Sequence, residues 1–185
     1  MPVYAHASEL SYFIGRFSYP APDPTVGGGL MAYLSFAYPR YSHDFGSRTT
    51  ALPAAGRMPG LPGWRWGRTS GHTFGHVSFF RERDKVLMAG DAFTTVFAES
   101  GLDTLTQKQE VHGSSAYFAP DWDAARASVE LASMGPEVAA TGHGIPMHGE
   151  NLRSQFTAVA SRFNVVARPK PAATFSSPPR PMPAA

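Results

Sequence analysis

The alternation of apolar and polar positions predicts short strands along much of the chain. Apolar runs at residues 77–80 and 85–89 flank the polar stretch 81–84, a pattern typical of a β-hairpin. Residues 2–5 and 137–141 have the pattern of two further short buried strands. The sequence therefore predicts short strands near the start of the chain, in its middle and after residue 136.

Three segments have the periodicity of helices. Ser8 is a suitable N-cap for a brief helix through Tyr12 that stops at Gly15. Asp121 predicts the start of a second helix that ends at Gly135. The apolar stripe of that helix comprises Trp122, Ala125, Val129 and Ala132. A last helix places four apolar side chains on one face, namely Leu152, Phe156, Val159 and Phe163.

Residues 19–63 and 168–185 depart from these patterns. The first stretch is rich in Pro and Gly and predicts an irregular excursion with one helix around residues 30–37. Such a stretch either lies over a functional site or is a surface insertion, and the sequence leaves both open. Residues 168–185 are Pro-rich and predict a disordered tail after a single domain at 1–167.

Composition narrows the class of protein. With 185 residues and 43% hydrophobic content, the chain can bury one sizeable core. The net charge of +2 and the lack of a Lys/Arg run argue against nucleic acid as a partner. No stretch resembles a secretory signal or a membrane helix, so we expect no membrane partner and a cytoplasmic location. Because there is no cysteine, any metal must be held by nitrogen and oxygen donors.

Three short motifs place such donors at the ends of strand-like segments. In Gly71-His72-Thr73-Phe74-Gly75-His76 the two histidines are four residues apart, but the glycines weaken a helix and no Glu follows the first His. A loop that enters a strand fits better, and only one of the two histidines then needs to face a metal. Asp91 and His143 each follow a strand and are flanked by glycine. Taken singly, each is more often an ordinary turn or a hydrogen-bonded residue.

Together and in this order, the motifs resemble the second half of the metallo-β-lactamase superfamily. The resemblance runs from about Trp64 to Phe163, and residues 69–77 are its most specific part. Residues 2–6 resemble the strand that follows the family's first metal motif. The resemblance implies an α+β fold, an αββα sandwich in which two sheets pack between helices.

The resemblance also implies a site with two zinc ions and a small-molecule substrate. By that likeness His72 would bind the first zinc, Asp91 would bridge both, and His143 would bind the second. His76 would brace the loop through a hydrogen bond, with Thr73 beside it, behind the ligands. The family's chemistry is attack of a metal-activated water on a carbonyl or phosphoryl centre. The substrate and the bond cleaved stay open, since the family cleaves many kinds of bond.

The chain departs from the family at its first motif, H-x-H-x-D-H, which is absent. His43-Asp44 has the wrong order and predicts a polar turn, and His6, His112 and His148 are isolated surface or hydrogen-bonding residues. Three ligands fall short of the about seven that a two-metal centre needs. We therefore expect an N-terminally truncated sandwich that binds metal weakly and hydrolyses little or nothing alone.

Two hypotheses follow from this shortfall. The chain is either part of a zinc-dependent hydrolase that needs the missing segment, or a non-enzymatic remnant that serves as a binding or assembly module. In both cases a sandwich without its first sheet would expose an apolar face and strand edges. We expect that face to favour self-association.

Overall fold

The computed structural model describes residues 1–22, 33–38, 43–114, 123, 129 and 135–161. The strands in these ranges are β1 Val3–Ala5, β2 Thr49–Ala51, β3 Trp64–Arg68, β4 Val77–Arg81, β5 Val86–Gly90, β6 Phe93–Thr94, β7 His112–Gly113, β8 Val138–Thr141 and β9 Met147–His148. The α-helices are α1 Leu10–Phe13, α2 Gly101–Thr106 and α3 Gly149–Ser161, with 3-10 turns at Ala7–Glu9, Leu34–Ala37 and Gly46–Arg48.

The largest sheet has five strands in the order β3-β4-β5-β8-β9. The β4–β5 hairpin is antiparallel and confirms the predicted one, while β5 and β8 pair in parallel. The other strands described form two small sheets, β1 with β2 in parallel and β6 with β7 antiparallel. The carboxyl ends of β5 and β8 and the start of β4 therefore meet at one edge of the large sheet.

One face of the large sheet packs against α3 to form the core. Leu87 and Ala89 alternate inward along β5, as the period of two in a strand requires. From α3 the inward side chains are Leu152, Phe156 and Val159, which confirms the predicted apolar face. Each such burial contributes roughly 1.5–3 kcal/mol. Phe163, the fourth member of the predicted stripe, lies outside the described residues.

The N-terminal segment corrects one prediction and confirms another. The strand predicted at residues 2–5 is present as β1. The N-cap of the turn that follows is His6 and not Ser8, because the His6 side chain accepts a hydrogen bond from the Ser8 amide. Gly15 has a φ of 67°, so it lies in the left-handed region after α1 ends.

Two strands were missed by the sequence patterns. The stretch interpreted as irregular contains β2, which pairs with β1, and the strand β3 begins at Trp64. Neither has a clean alternation of apolar and polar residues, since β2 is Thr-Thr-Ala and Gly67 interrupts β3. Of the helix predicted around 30–37, residues 34–37 form a 3-10 turn and residues 30–32 lie outside the described ranges.

Other predicted segments fall largely beyond what the structure describes. Of the helix predicted from Asp121, only Asp123 and Val129 are described, both helical, and Val129 is fully buried in the core. The tail predicted at 168–185 also lies outside the described residues, and so does the boundary at 167. In the described ranges, no helix combines the length and the apolar character that crossing a bilayer requires.

Candidate metal centre

The three motifs meet at the sheet edge where β5 and β8 end and β4 begins. Asp91 directly follows β5, and His143 lies two residues beyond β8. The loop that carries His72 and His76 runs directly into β4. Residues far apart in sequence are thus brought together by the pairing of the central strands.

The carboxylate of Asp91 lies between two imidazoles. Its Oδ2 is 3.7 Å from His72 Nε2, and its Oδ1 is 3.7 Å from His143 Nε2. These distances are too long for hydrogen bonds but leave room for a cation between donor atoms. In the described part of the chain, no group of three or more His, Cys, Asp or Glu side chains is arranged to hold a metal ion by itself. The donors thus form two pairs, His72 with Asp91 and His143 with Asp91, which share the Asp91 carboxylate.

The Oδ1 atom of Asp91 is buried and has no hydrogen-bond partner among the described residues. Leaving a buried carboxylate oxygen unpaired is costly, so such an atom calls for an explanation. A cation between Asp91 and His143 would supply the missing partner. The donor set of two imidazoles and a carboxylate fits a metal of the zinc or iron type, since both accept nitrogen and oxygen ligands.

Glycines allow the strand ends to approach this carboxylate. A Cβ on Gly142 would collide with Asp91 Oδ1, at a separation that real Cβ atoms essentially never show. A Cβ on Gly90 would stand 2.7 Å from His76 Nε2, and Gly90 also has a φ of 58°. Glycine is therefore needed beside Asp91 and His143, because any side chain at Gly90 or Gly142 would collide with His76 or Asp91.

His76 joins the start of β4 to the end of β5. Its Nε2 accepts a hydrogen bond from the Asp91 amide at 3.0 Å, and its Nδ1 lies 3.0 Å from the Thr69 carbonyl oxygen. Burial lowers the pKa of His76, which favours the neutral ring that can accept at Nε2. Because Nε2 already accepts the hydrogen bond of the Asp91 amide, it is not available to the Asp91 carboxylate or to a metal beside it. The ring of His76 instead holds the loop in place.

His72 is the more buried of the two imidazoles that face Asp91. Its Nδ1 lies 3.3 Å from Ser114 Oγ, which fixes the ring from behind. Burial lowers the pKa of His72, although the nearby Asp91 carboxylate acts in the opposite direction. A neutral imidazole is the form that binds metal. Thr73 contributes its carbonyl oxygen to the turn, accepting from the amides of Gly71 and His76 at 3.3 and 3.4 Å.

His143 is held through its backbone. The His143 carbonyl oxygen accepts hydrogen bonds from Thr141 Oγ1 at 2.6 Å and from the Thr95 amide at 3.2 Å. Thr95 Oγ1 also lies 2.8 Å from the Ile145 carbonyl oxygen, and Thr95 is fully buried. The sequence patterns missed Thr95 and Ser114, because a Thr or Ser beside a strand has no distinctive spacing.

The other histidines lie in different surroundings. The ring of His6 packs edge-on against Trp66, and His148 is exposed at the end of the sheet. His112 corrects the prediction of a surface or hydrogen-bonding residue, since its Nε2 is buried with no hydrogen-bond partner among the described residues and lies 3.9 Å from Glu110 Oε2. Its ring packs on Phe97 with the ring centres 4.9 Å apart, so aromatic packing explains its burial.

Comparison with known proteins decides the family. The family model described as Metallo-beta-lactamase superfamily matches residues 1–143. The chain belongs to the metallo-beta-lactamase superfamily. The match includes residues 2–6 and most of the stretch from Trp64 onward, the two parts of the chain that resemble this family in sequence. It confirms the resemblance, and members of this superfamily bind metal ions.

A curated relative and two solved structures agree with this placement. The chain is 47% identical over 167 residues to the probable metallo-hydrolase YflN of Bacillus subtilis (strain 168), covering 90% of this chain and 63% of the relative. A superfamily protein from the archaeon Sulfolobus tokodaii is 13% identical with a TM-score of 0.56, covering 86% of this chain and 57% of that one. The BLEG-1 B3 metallo-beta-lactamase is 21% identical with a TM-score of 0.50, covering 80% and 60%.

These likenesses confirm the α+β metallo-beta-lactamase fold predicted from the sequence. The curated relative is named as a probable metallo-hydrolase. The chain spans 63% of the length of that relative.

Proposed function

We propose that this chain supplies part of the active site of a zinc-dependent hydrolase, with His72, Asp91 and His143 as metal ligands. The observation that carries the proposal is the Asp91 carboxylate, whose two oxygens face two different imidazoles while Oδ1 is buried and accepts no hydrogen bond from the described residues. A carboxylate in that position suits a ligand shared between two cation positions. Bound zinc would lower the pKa of a water molecule and polarise the bond to be cleaved.

The chain's own residues would prepare this chemistry by holding the donor atoms in place. Ser114 orients the His72 ring, and His76 fixes the backbone of Asp91. The carbonyl oxygen of His143 is held by Thr141 and by the Thr95 amide. Neutral imidazoles and an ionised carboxylate are the protonation states that zinc requires.

The three ligands are fewer than a complete two-metal centre needs. The 185 residues contain no H-x-H-x-D-H motif, which in this superfamily would supply the other donors. We therefore propose that the polypeptide alone retains zinc weakly and turns over a small-molecule substrate slowly or not at all. The second hypothesis, a non-enzymatic binding module, would keep the same fold but would not need Asp91 for zinc retention.

Zinc titration of matched variants tests the ligand assignment. We expect Asp91→Asn and His143→Ala to weaken zinc binding by at least about 100-fold, because each removes a direct ligand. Asp84→Asn and His148→Ala are the controls, since both residues lie outside the site, His148 being exposed and Asp84 paired with Arg81. Affinity is measured by competition with a chromophoric chelator.

The result decides between the two hypotheses. Weaker zinc binding in the site variants, with wild-type affinity in the controls, supports the hydrolase. Equal zinc retention in the wild type, the site variants and the controls would overturn the ligand assignment and favour the binding module. Two firmly bound zinc ions per chain, with rapid turnover of an acyl ester, would contradict the proposed incompleteness.

A further inference from the structure

A buried carboxylate on the N-terminal segment contacts the loop of the candidate metal centre. Glu9 is only 5% exposed, and its Oε1 accepts a hydrogen bond from the Gly75 amide at 2.7 Å. Its Oε2 accepts from the Tyr19 hydroxyl at 2.9 Å. A buried charge is costly unless it is hydrogen-bonded, and here both oxygens are occupied. No sequence motif singled out Glu9.

The loop is shaped to receive this carboxylate. A Cβ on Gly75 would stand 2.5 Å from Glu9 Cγ and 2.9 Å from Glu9 Oε1. It would also stand 3.1 Å from His6 Nδ1. Gly75 is thus required by the close approach of Glu9, 66 residues away along the chain. The contact joins two distant segments through one specific pair of groups.

The contact leads directly to Asp91. Gly75 is bonded to His76, and the His76 ring accepts the hydrogen bond of the Asp91 amide. Resting on the proposed function, we propose that Glu9 is a positioning residue that fixes the Gly75–His76 turn and, through it, the carboxylate of Asp91 for metal binding. Glu9 itself does not face Asp91; it acts through His76.

Tyr19 completes the arrangement on the far side of Glu9. Burial and the neighbouring Glu9 carboxylate raise the pKa of Tyr19, so the phenol stays protonated and donates. The Tyr19 ring also stacks on Tyr12 with the ring centres 4.4 Å apart. One Glu9 oxygen is therefore held by Tyr19, which stacks on Tyr12. The other holds the loop that carries Gly75 and His76.

Substitutions at Glu9 separate positioning from simple anchoring of the fold. Glu9→Ala removes both hydrogen bonds, whereas Glu9→Gln keeps an acceptor oxygen for the Gly75 amide. We expect Glu9→Ala to weaken zinc binding by about 10-fold or more, the usual effect of losing a residue that supports a ligand. Hydrogen exchange of the Gly75 and Asp91 amides should speed up in the same variant. Glu9→Gln should restore most of both properties, and the exposed Glu82→Gln is the control.

A purely structural role predicts a different outcome. Glu9→Ala would then lower the melting temperature while zinc affinity and Asp91 amide exchange stay at wild-type values, and that result would overturn the inference. If Glu9→Ala does not fold, Glu9→Asp withdraws the carboxylate by one methylene and should give the same two changes; their absence there would also overturn it. A wild type without any zinc affinity would refute the proposed function, while the amide exchange rates would still decide the role of Glu9.

Discussion

The two histidine ends of the candidate metal centre are held in different ways. The His72 end is the more enclosed, with 20% of the His72 side chain exposed against 55% for His143. At the first end a ring, His76, and a buried charge, Glu9, hold the loop across a long stretch of sequence. At the second end hydroxyl and amide groups of Thr95 and Thr141 hold the backbone of the turn.

The difference shows which end depends on the rest of the chain. The bonds at the His143 carbonyl oxygen are between neutral groups and come from Thr141, at the end of β8, and Thr95, directly after β6. The bond from the Gly75 amide is instead accepted by a buried carboxylate of the N-terminal segment, 66 residues away. Hydrogen bonds to charged groups are worth about 1.5–3 kcal/mol, roughly twice a neutral one. The first end should therefore be the stiffer one and the more sensitive to single changes.

Gly142 lies where the two ends share the Asp91 carboxylate, so a side chain there should have the largest effect. In Gly142→Ala the new Cβ would collide with Asp91 Oδ1, and no flexible group is available to yield except the carboxylate itself. We expect loss of about 1–3 kcal/mol in unfolding free energy, the usual cost of overpacking, together with most of the zinc affinity. Urea unfolding and chelator competition measure the two effects.

Gly67→Ala is the matched control for this change. Gly67 lies within β3, and a Cβ there would meet no heavy atom within 4 Å among the described residues beyond its chain neighbours. Its zinc affinity should equal that of the wild type. Wild-type zinc affinity in Gly142→Ala would show that the Asp91 carboxylate can move away without loss of zinc binding. That result would contradict the proposal that the carboxylate is held in place between His72 and His143.

The sequence motifs pointed to the three side chains that the structure brings together, but not to the residues that support them. Asp91 and His143 could be found because strand-like runs end in glycine-flanked donors, and the parallel pairing of β5 and β8 brings such ends together. Glu9 and Thr95 could not be found, because their role arises from tertiary contacts over 66 and 48 residues. A Glu after a short turn or a Thr after a strand has the same local pattern in many proteins.

A similar contrast holds for the fold. The β4–β5 hairpin and the face of α3 were predicted because their apolar periodicity matches their burial. Strands β2 and β3 were missed because neither has that alternation; β2 is placed by pairing with β1, and β3 by pairing with β4. Pairing partners distant in sequence override weak local preference in such strands.

Thr95 provides the next smaller test, at the His143 end. Thr95→Val keeps the shape but removes the hydroxyl that lies against the carbonyl oxygens of His143 and Ile145. The unfolding free energy should fall by about 1–3 kcal/mol, the cost of leaving buried polar groups unpaired. Zinc affinity should fall less than in Glu9→Ala, because Thr141 Oγ1 and the Thr95 amide still hold the His143 carbonyl.

Thr95→Ser separates the hydroxyl from the methyl group. It keeps the hydrogen bonds, so it should retain wild-type zinc affinity and lose stability only through the missing methyl group. A larger loss of zinc affinity in Thr95→Val than in Glu9→Ala would reverse the comparison and make the second end the more sensitive one.

The smallest expected effect is on how the free energy of unfolding changes at low pH. It concerns His112, which is not part of the candidate metal centre. Burial lowers the pKa of His112 from its ordinary value of 6.5, and this outweighs the carboxylates nearby. The charged groups that act on the ring are Glu110, Glu99, Lys108 and Asp103. Because the unfolded chain takes up a proton near pH 6.5 and the folded ring resists until lower pH, the free energy of unfolding should fall as the pH drops through that interval.

Replacing His112 isolates its share of this acid sensitivity. In His112→Gln the fall in unfolding free energy between about pH 7.5 and about pH 5.5 should be smaller than in the wild type, since one group with a lowered pKa is gone. His148→Gln, at an exposed position, should leave the fall unchanged. Urea unfolding at several pH values in metal-free buffer gives the comparison. An equal or steeper fall in His112→Gln would mean that its burial does not affect proton uptake, and the acid sensitivity would then come from histidines elsewhere in the fold.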